Sequence, residues 1–203
     1  MFWPLDKGVL ELPDDETSRF EDVALPHLDA VYRMARRLAG GVAEAEDLVQ
    51  ETFVRALKAI DRFELREHGA KPWLFKILHN VFYTQAGKSR RQPTLLDDVD
   101  FDHFAAELDE AQIDPSGPGG AAAFDWDRCD QEIKQAVEQL QPEYRTVLLL
   151  WALEDMSYKQ IAEICRCPVG TVMSRLYRAR QLLGKHLRSY AAEHNLRTER
   201  FEK

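Results

Sequence analysis

Ser157-Tyr158-Lys159-Gln160-Ile161-Ala162-Glu163-Ile164-Cys165-Arg166-Cys167-Pro168-Val169-Gly170-Thr171-Val172-Met173-Ser174-Arg175-Leu176-Tyr177-Arg178-Ala179-Arg180 is the stretch that decides the architecture of this chain. A serine followed three residues later by glutamine is a capping box: each side chain bonds the other's backbone amide, so a short helix starts here. That helix carries Ile161, Ala162, Ile164 and Cys165 as its apolar positions. After Arg166-Cys167, Pro168 suits the first position of a second helix. Its apolar residues Val169, Val172, Leu176, Ala179 and Leu183 follow steps of three and four. On the other side Thr171, Ser174, Arg175 and Arg178 make a polar, basic ridge of the kind that enters a DNA major groove. The pattern is that of a helix-turn-helix, although small helices with arginines opposite an apolar stripe also occur on surfaces that touch no DNA.

Farther upstream the same helical period continues. Leu28, Val31, Tyr32, Ala35 and Leu38 form one stripe ending at Gly40-Gly41, and Leu48, Val49, Phe53, Ala56, Leu57 and Ile60 form a second. A third runs through Trp73, Leu74, Ile77, Leu78 and Val81, just after Pro72. Ile133 to Leu140 and Pro142 to Leu153 predict two more helices before the capping box. No alternating β-branched run suggests a sheet, so the expected fold is all-α. Asp114-Pro115-Ser116-Gly117-Pro118-Gly119-Gly120 sustains neither helix nor strand and marks a division. The expectation is two small helical domains, 20–91 and 127–190, joined by a flexible acidic linker, 92–126, with an N-terminal extension 1–19 and a C-terminal tail 191–203. In a chain of 203 residues, each unit is near the lower limit for a self-sufficient core.

Apolar residues make up 45% and charged residues 31%, a globular balance, and no apolar run approaches the roughly 20 residues that cross a bilayer. Met1-Phe2-Trp3-Pro4-Leu5-Asp6 lacks the order of a signal peptide, and three cysteines, Cys129, Cys165 and Cys167, are too few for a disulfide framework. Both point to the cytoplasm. A net charge of −8 argues against a nucleic-acid partner until its distribution is read. From Lys71 to Arg91 there are five cations (Lys71, Lys76, Lys88, Arg90, Arg91) and no acid; from Arg166 to Arg188 there are six (Arg166, Arg175, Arg178, Arg180, Lys185, Arg188) and again no acid. Residues 92–132 between them hold twelve acids against Arg128 alone. One such patch is often a solvated face; two acid-free patches in an acidic chain fit phosphate partners better.

The two patches differ in character. In the first, Trp73, Phe75, Phe82 and Tyr83 are interleaved with the cations. Rings among cations suit single-stranded DNA, on whose bases they stack, while Trp73 and Phe82 taken singly fit core packing better. In the second, Arg175 and Arg178 suit guanine edges and Lys185 and Arg188 suit phosphates. One half for duplex and one for an opened strand is the pattern of promoter recognition.

Glu44-Ala45-Glu46-Asp47-Leu48-Val49-Gln50-Glu51-Thr52-Phe53, followed by Lys71-Pro72-Trp73-Leu74-Phe75-Lys76-Ile77 with Asn80 beyond, resembles domain 2 of the extracytoplasmic-function sigma factors of the sigma-70 family. Leu140-Gln141-Pro142-Glu143-Tyr144-Arg145, then Met156 to Ala162 and Pro168 to Arg180, resembles their domain 4. The resemblance implies a subunit that binds core RNA polymerase, at the β′ clamp helices and the β flap, and directs initiation at promoter DNA. It assigns polymerase binding to Asp47, Leu48, Gln50, Glu51 and Phe53. Capture and melting of the −10 element fall to Trp73, Lys76, Asn80, Tyr83, Lys88, Arg90 and Arg91. Reading of the −35 duplex falls to Gly170, Thr171, Ser174, Arg175, Tyr177, Arg178 and Lys185. The acidic linker would lie in the active-site and RNA-exit region of the polymerase, an anti-sigma factor is an expected partner, and the free chain is an expected monomer. Glu44 stands where the family usually has Asp, Thr84-Gln85 where it often has Asp-Arg, and Arg166-Cys167 where a helix-turn-helix commonly has glycine.

No catalytic residue, cofactor or metal is expected. The six histidines are scattered, no serine lies in a nucleophile motif, and no glycine-rich loop follows a strand. Cys165-x-Cys167 with His186 lacks the spacing of a closed zinc site. Two other readings stay open at this level: a stand-alone, dimeric helix-turn-helix regulator, which needs no Asp47 to Phe53 surface, and a sigma mimic that titrates an anti-sigma factor and needs no basic ridge.

Overall fold

The computed structural model describes residues 14–65, 69–89, 126 and 129–193. The expected linker, Trp126 excepted, lies outside them. Every regular element among the described residues is helical: α1 (Asp14–Val23), α2 (Leu28–Leu38), α3 (Val42–Leu57) and α4 (Lys71–Ser89) in the N-terminal half, then α5 (Gln131–Glu138), α6 (Pro142–Ala152), α7 (Tyr158–Cys165), α8 (Val169–His186) and α9 (Arg188–Glu193). Short 3-10 turns at Leu25–His27 and Ile60–Arg62 complete the first half.

The N-terminal half is built by α2, α3 and α4. Val31, Met34, Ala35 and Leu38 of α2 are buried, whereas Leu28 and Tyr32, expected in this stripe, stay 41% and 37% exposed at its rim. The helical repeat centres the stripe on Val31 and Met34, leaving the two bulky residues to one side. Ala45, Leu48, Thr52 and Ala56 of α3 face Leu74, Phe75, Leu78 and Val81 of α4. The Thr52 hydroxyl is buried at no cost in lost hydrogen bonding, because it donates to the Leu48 carbonyl at 2.6 Å. Helix α1 crosses the expected boundary at residue 20: Arg19 donates to the Phe63 carbonyl, and Phe20 packs edge-on to Phe53 with centroids 6.1 Å apart. Its mostly charged sequence, DDETSRFEDV, carries no stripe from which this docking follows.

In the C-terminal half, Thr146, Val147, Leu148, Leu149 and Leu150 of α6 are buried in succession. A helix apolar all round needs cover on every side. Here α7 and α8 cover one side with Ile161, Ala162, Ile164, Val172, Leu176 and Ala179, and α2 of the first half lies against α6 as well. Helix α7 also packs on α4. The two halves therefore share one continuous apolar core.

The capping box is formed: the Ser157 amide donates to Gln160 Oε1 at 2.8 Å and the Gln160 amide to Ser157 Oγ at 3.3 Å. Helix α7 ends on Arg166 in the left-handed conformation (φ 53°, ψ 46°), with the Cys167 amide donating back to the Ala162 carbonyl at 3.1 Å. The turn is thus the ordinary one for a glycine, made by an arginine. Pro168, extended at ψ 151°, caps α8 instead of opening it. A side chain in this backbone region costs about 1 kcal/mol relative to glycine. Arg166→Gly is accordingly expected to stabilise the chain by up to about 1 kcal/mol, read as a higher urea midpoint at unchanged slope.

Candidate functional site

On α8 the face opposite Val172, Leu176 and Ala179 presents Thr171, Ser174, Arg178 and Lys185. Arg178 and Lys185 are exposed; Thr171 and Ser174 are partly so, with Ser174 Oγ donating to the Thr171 carbonyl at 3.0 Å. Gly170 and Tyr177 are half-buried on the flank. Arg175, expected on the ridge, is not on it. At about 100° per residue it stands about 60° from Arg178 and about 60° from Val172, midway between ridge and core. Its Nη1 lies 3.9 Å from Cys167 Sγ, and its Nε is buried without a hydrogen-bond partner. Arg180, exposed, stacks over the Trp151 ring at 4.6 Å.

Helix α4 carries polar residues beside its buried stripe. Lys76, Asn80 and Thr84 recur every fourth residue on the side away from Leu74, Leu78 and Val81; Thr84 Oγ1 donates to the Asn80 carbonyl at 2.6 Å. Trp73 is half-buried and lies on the Phe63 ring, centroids 4.3 Å apart. Phe75, read from sequence as one of the interleaved aromatics, is a core residue at 1% exposure. Tyr83, about 20° from Lys76 around the helix at about 100° per residue, places its hydroxyl 3.3 Å from Thr146 Oγ1 on α6. Thr146 has one proton and gives it to the Pro142 carbonyl at 2.7 Å, so Tyr83 is the donor. Burial pushes the Tyr83 phenol up to about 12, which keeps that proton in place. The Lys88 side chain, Arg90 and Arg91 lie outside the described residues.

Beside Tyr83, the His79 ring packs at 4.5 Å with its Nδ1 buried and without a hydrogen-bond partner. Burial, then the Arg175 and Arg166 guanidiniums, hold its pKa down to about 4, so it is neutral near pH 7. Burial likewise pushes the Cys165 thiol up to about 12 and raises that of Cys167, which keeps both protonated and poorly nucleophilic.

On α3, Asp47 and Gln50 are exposed and Glu51 pairs with Arg55 at 2.6 Å. Phe53 is half-buried against Phe20. Leu48, expected on the same docking surface, is 2% exposed and belongs to the core, because it shares its side of the helix with Ala45 and Thr52. Val54, 40% exposed, joins Asp47 and Gln50 through the steps of four and seven and was missed. An apolar residue seven after Asp47 on an otherwise acidic face was the signal for it.

The family model for Sigma-70 region 2 matches residues 24–92, and that for Sigma-70, region 4 matches residues 130–183. The ECF RNA polymerase sigma factor SigW of Bacillus subtilis is 30% identical over 184 residues, covering 91% of this chain and 97% of that protein. EcfG of Rhodopseudomonas palustris is 34% identical over 177 residues, covering 87% and 90%. The chain belongs to the ECF sigma factors of the sigma-70 family. Among solved structures, the sigma factor RpoE of Bartonella quintana, in complex with the anti-sigma factor NepR, is 31% identical with a TM-score of 0.59, covering 83% of this chain and 96% of that one. CnrH, solved with the cytosolic domain of CnrY, shares the fold at a TM-score of 0.55 and 23% identity. This sigma factor directs transcription by RNA polymerase; its relatives are sigma factors, not enzymes. No helix among the described residues is long and apolar enough to cross a membrane.

The buried neutral His79 makes the fold acid-sensitive. Its pKa is depressed in the folded chain from 6.5 to about 4, so the unfolded state binds the proton first. Stability from this position is complete above about pH 6.5 and is lost as pH falls toward 4. Relative to His79→Gln, which has no such titration, the wild type should lose on the order of 2 kcal/mol between pH 7 and pH 4.5, read as a widening gap in urea unfolding free energy.

Proposed function

We propose that the sigma factor reads the −35 duplex with the Thr171, Ser174, Arg178 and Lys185 face of α8, and holds the opened −10 strand along Trp73, Lys76 and Asn80 of α4. Polymerase docking falls to the Asp47, Gln50 and Val54 face of α3. The observation that carries the reading is the α8 ridge, exposed, cationic and without an acid from Arg166 to Arg188, standing on a helix whose opposite face is locked into the core. Groove-facing arginines discriminate bases, whereas Lys185 near the helix end suits a phosphate. On α4 the half-exposed Trp73 ring offers a stacking surface, and Lys76 offers a charge to the backbone beside it. Melting then needs only binding energy to offset a few kcal/mol of unstacking per step. An anti-sigma factor as regulatory partner and a cytoplasmic location belong to the same reading. A stand-alone regulator, by contrast, has no use for the region 2 half.

Binding to core RNA polymerase tests this first. Wild type is expected to bind, and the variant with Asp47→Ala and Gln50→Ala to lose about tenfold or more in affinity while keeping its helix content. A folded wild type that does not bind core overturns the reading. On promoter duplexes selected from a random pool by the holoenzyme, Arg178→Ala should lose about 1–3 kcal/mol and relax base preference at one position, whereas Lys185→Ala should weaken all sequences alike and flatten the salt dependence.

A further inference from the structure

Arg166 is held where few arginines are found. It ends α7 in the left-handed region, φ 53° and ψ 46°, with its side chain exposed. The other non-glycine residue at positive φ among the described residues is Asp155, of a type that tolerates this region; an arginine has no such compensation. Backbone strain of this kind collects at functional sites. Glycine would relieve it, so what the position holds and glycine would not is the guanidinium. Arg166 also has company. Lys159, Glu163 and Arg166, all exposed, follow steps of four and three along α7 and, with Val169 at the start of α8, line an open groove. Among the described residues no ion pair engages either cation. The groove opens beside the N-terminal end of the ridge of Thr171, Ser174, Arg178 and Lys185. From Thr171 to Lys185 the ridge runs about 21 Å at 1.5 Å per residue, longer than the ~12 Å width of a major groove, so a helix crossing the groove on this ridge reaches backbone beyond both edges. Lys185 stands at one end. At the other are Arg166 and Lys159, on the turn and first helix, the parts of the motif that cross the backbone while the second helix meets bases.

We propose that Arg166 and Lys159 clamp a backbone phosphate of the −35 duplex at the edge of the groove opposite Lys185, so that the turn itself adds sequence-independent, salt-sensitive affinity at the cost of backbone strain. The inference rests on the reading of α8 as the −35 helix and adds to it a contact from outside that helix. A guanidinium suits the role because it offers paired N–H donors to phosphate oxygens, with Lys159 as a second charge beside it. Glu163, between the two cations on the same face, repels the phosphate and limits the strength of the clamp. A contact of this kind positions the duplex and carries no base information.

The experiment titrates promoter duplex with holoenzyme made from core RNA polymerase and the full chain, over a range of potassium chloride, for wild type, Arg166→Gly, Arg166→Lys, Lys159→Ala, Glu163→Gln and Arg178→Ala. Arg166→Gly, though no less stable in urea, is expected to bind severalfold more weakly with unchanged base preference, its slope of log K against log salt flattened by about 0.9, the value for one phosphate contact. Arg166→Lys should keep most of the slope, and Lys159→Ala should weaken all sequences alike. Glu163→Gln should bind all sequences more tightly, a gain that misfolding cannot imitate. Wild-type affinity and slope in Arg166→Gly and Lys159→Ala overturn the clamp. A change of base preference in Arg166→Gly overturns it too, because the residue then acts through the geometry of the turn. Arg178→Ala separates the two ideas: if it relaxes base preference while the turn variants bind as wild type, the clamp alone falls; if it leaves preference and affinity untouched, the −35 reading falls and the clamp with it.

Discussion

Helix α4 is packed on two sides, and the rest of the molecule is arranged around that fact. Leu74, Leu78 and Val81 close the three-helix core of the N-terminal half, while Lys71, His79 and Tyr83 turn toward the helix-turn-helix half. A helix of this kind cannot be placed by one bundle alone. Its second side needs cover, and α6, apolar on every side, needs it as well. Each half is small enough that its own core leaves a marginal balance against chain entropy. Sharing apolar surface through α4 and α6 enlarges the single core that both draw on.

The polar groups along this junction are disposed in a way that plain hydrophobic packing would not require. Tyr83, Thr146 and the Pro142 carbonyl form a short donor chain with a defined direction. Arg145 bridges two helix ends, and Lys71 neutralises a nearly buried carboxylate. These ties fix how the halves meet, since apolar surfaces alone tolerate sliding, whereas a hydrogen bond at 3 Å does not. His79 is the exception. It packs on the Tyr83 ring as a neutral side chain with Nδ1 unpartnered, and its protonation at acid pH opposes the fold.

The surfaces assigned to partners lie outside the junction. Arg178 and Lys185 on α8 and Asp47, Gln50 and Val54 on α3 stand on helices whose opposite faces are held in the core, so their positions are set by packing they do not share. Recognition surfaces on rigid helices keep their geometry when a partner arrives. The α4 surface of Lys76 and Asn80 differs, because the same helix also carries Lys71 and Tyr83, which meet the helix-turn-helix half.

What the sequence determined by itself was local. The capping box, the helical stripes and the acid-free ridge follow from period, capping chemistry and charge, all of which act within a few residues. The motif order likewise carried the family. Tertiary structure decided which side of a helix meets which neighbour. It turned Arg175 toward Cys167 and Tyr83 toward Thr146, and moved Leu48 and Phe75 into the core. It also docked the charged α1 through Arg19 and Phe20, and let an arginine occupy the left-handed position of the turn. The reason is physical: a helical period tells which face is buried, but not what buries it. A residue midway between two faces, as Arg175 is, goes to whichever neighbour the fold brings against it.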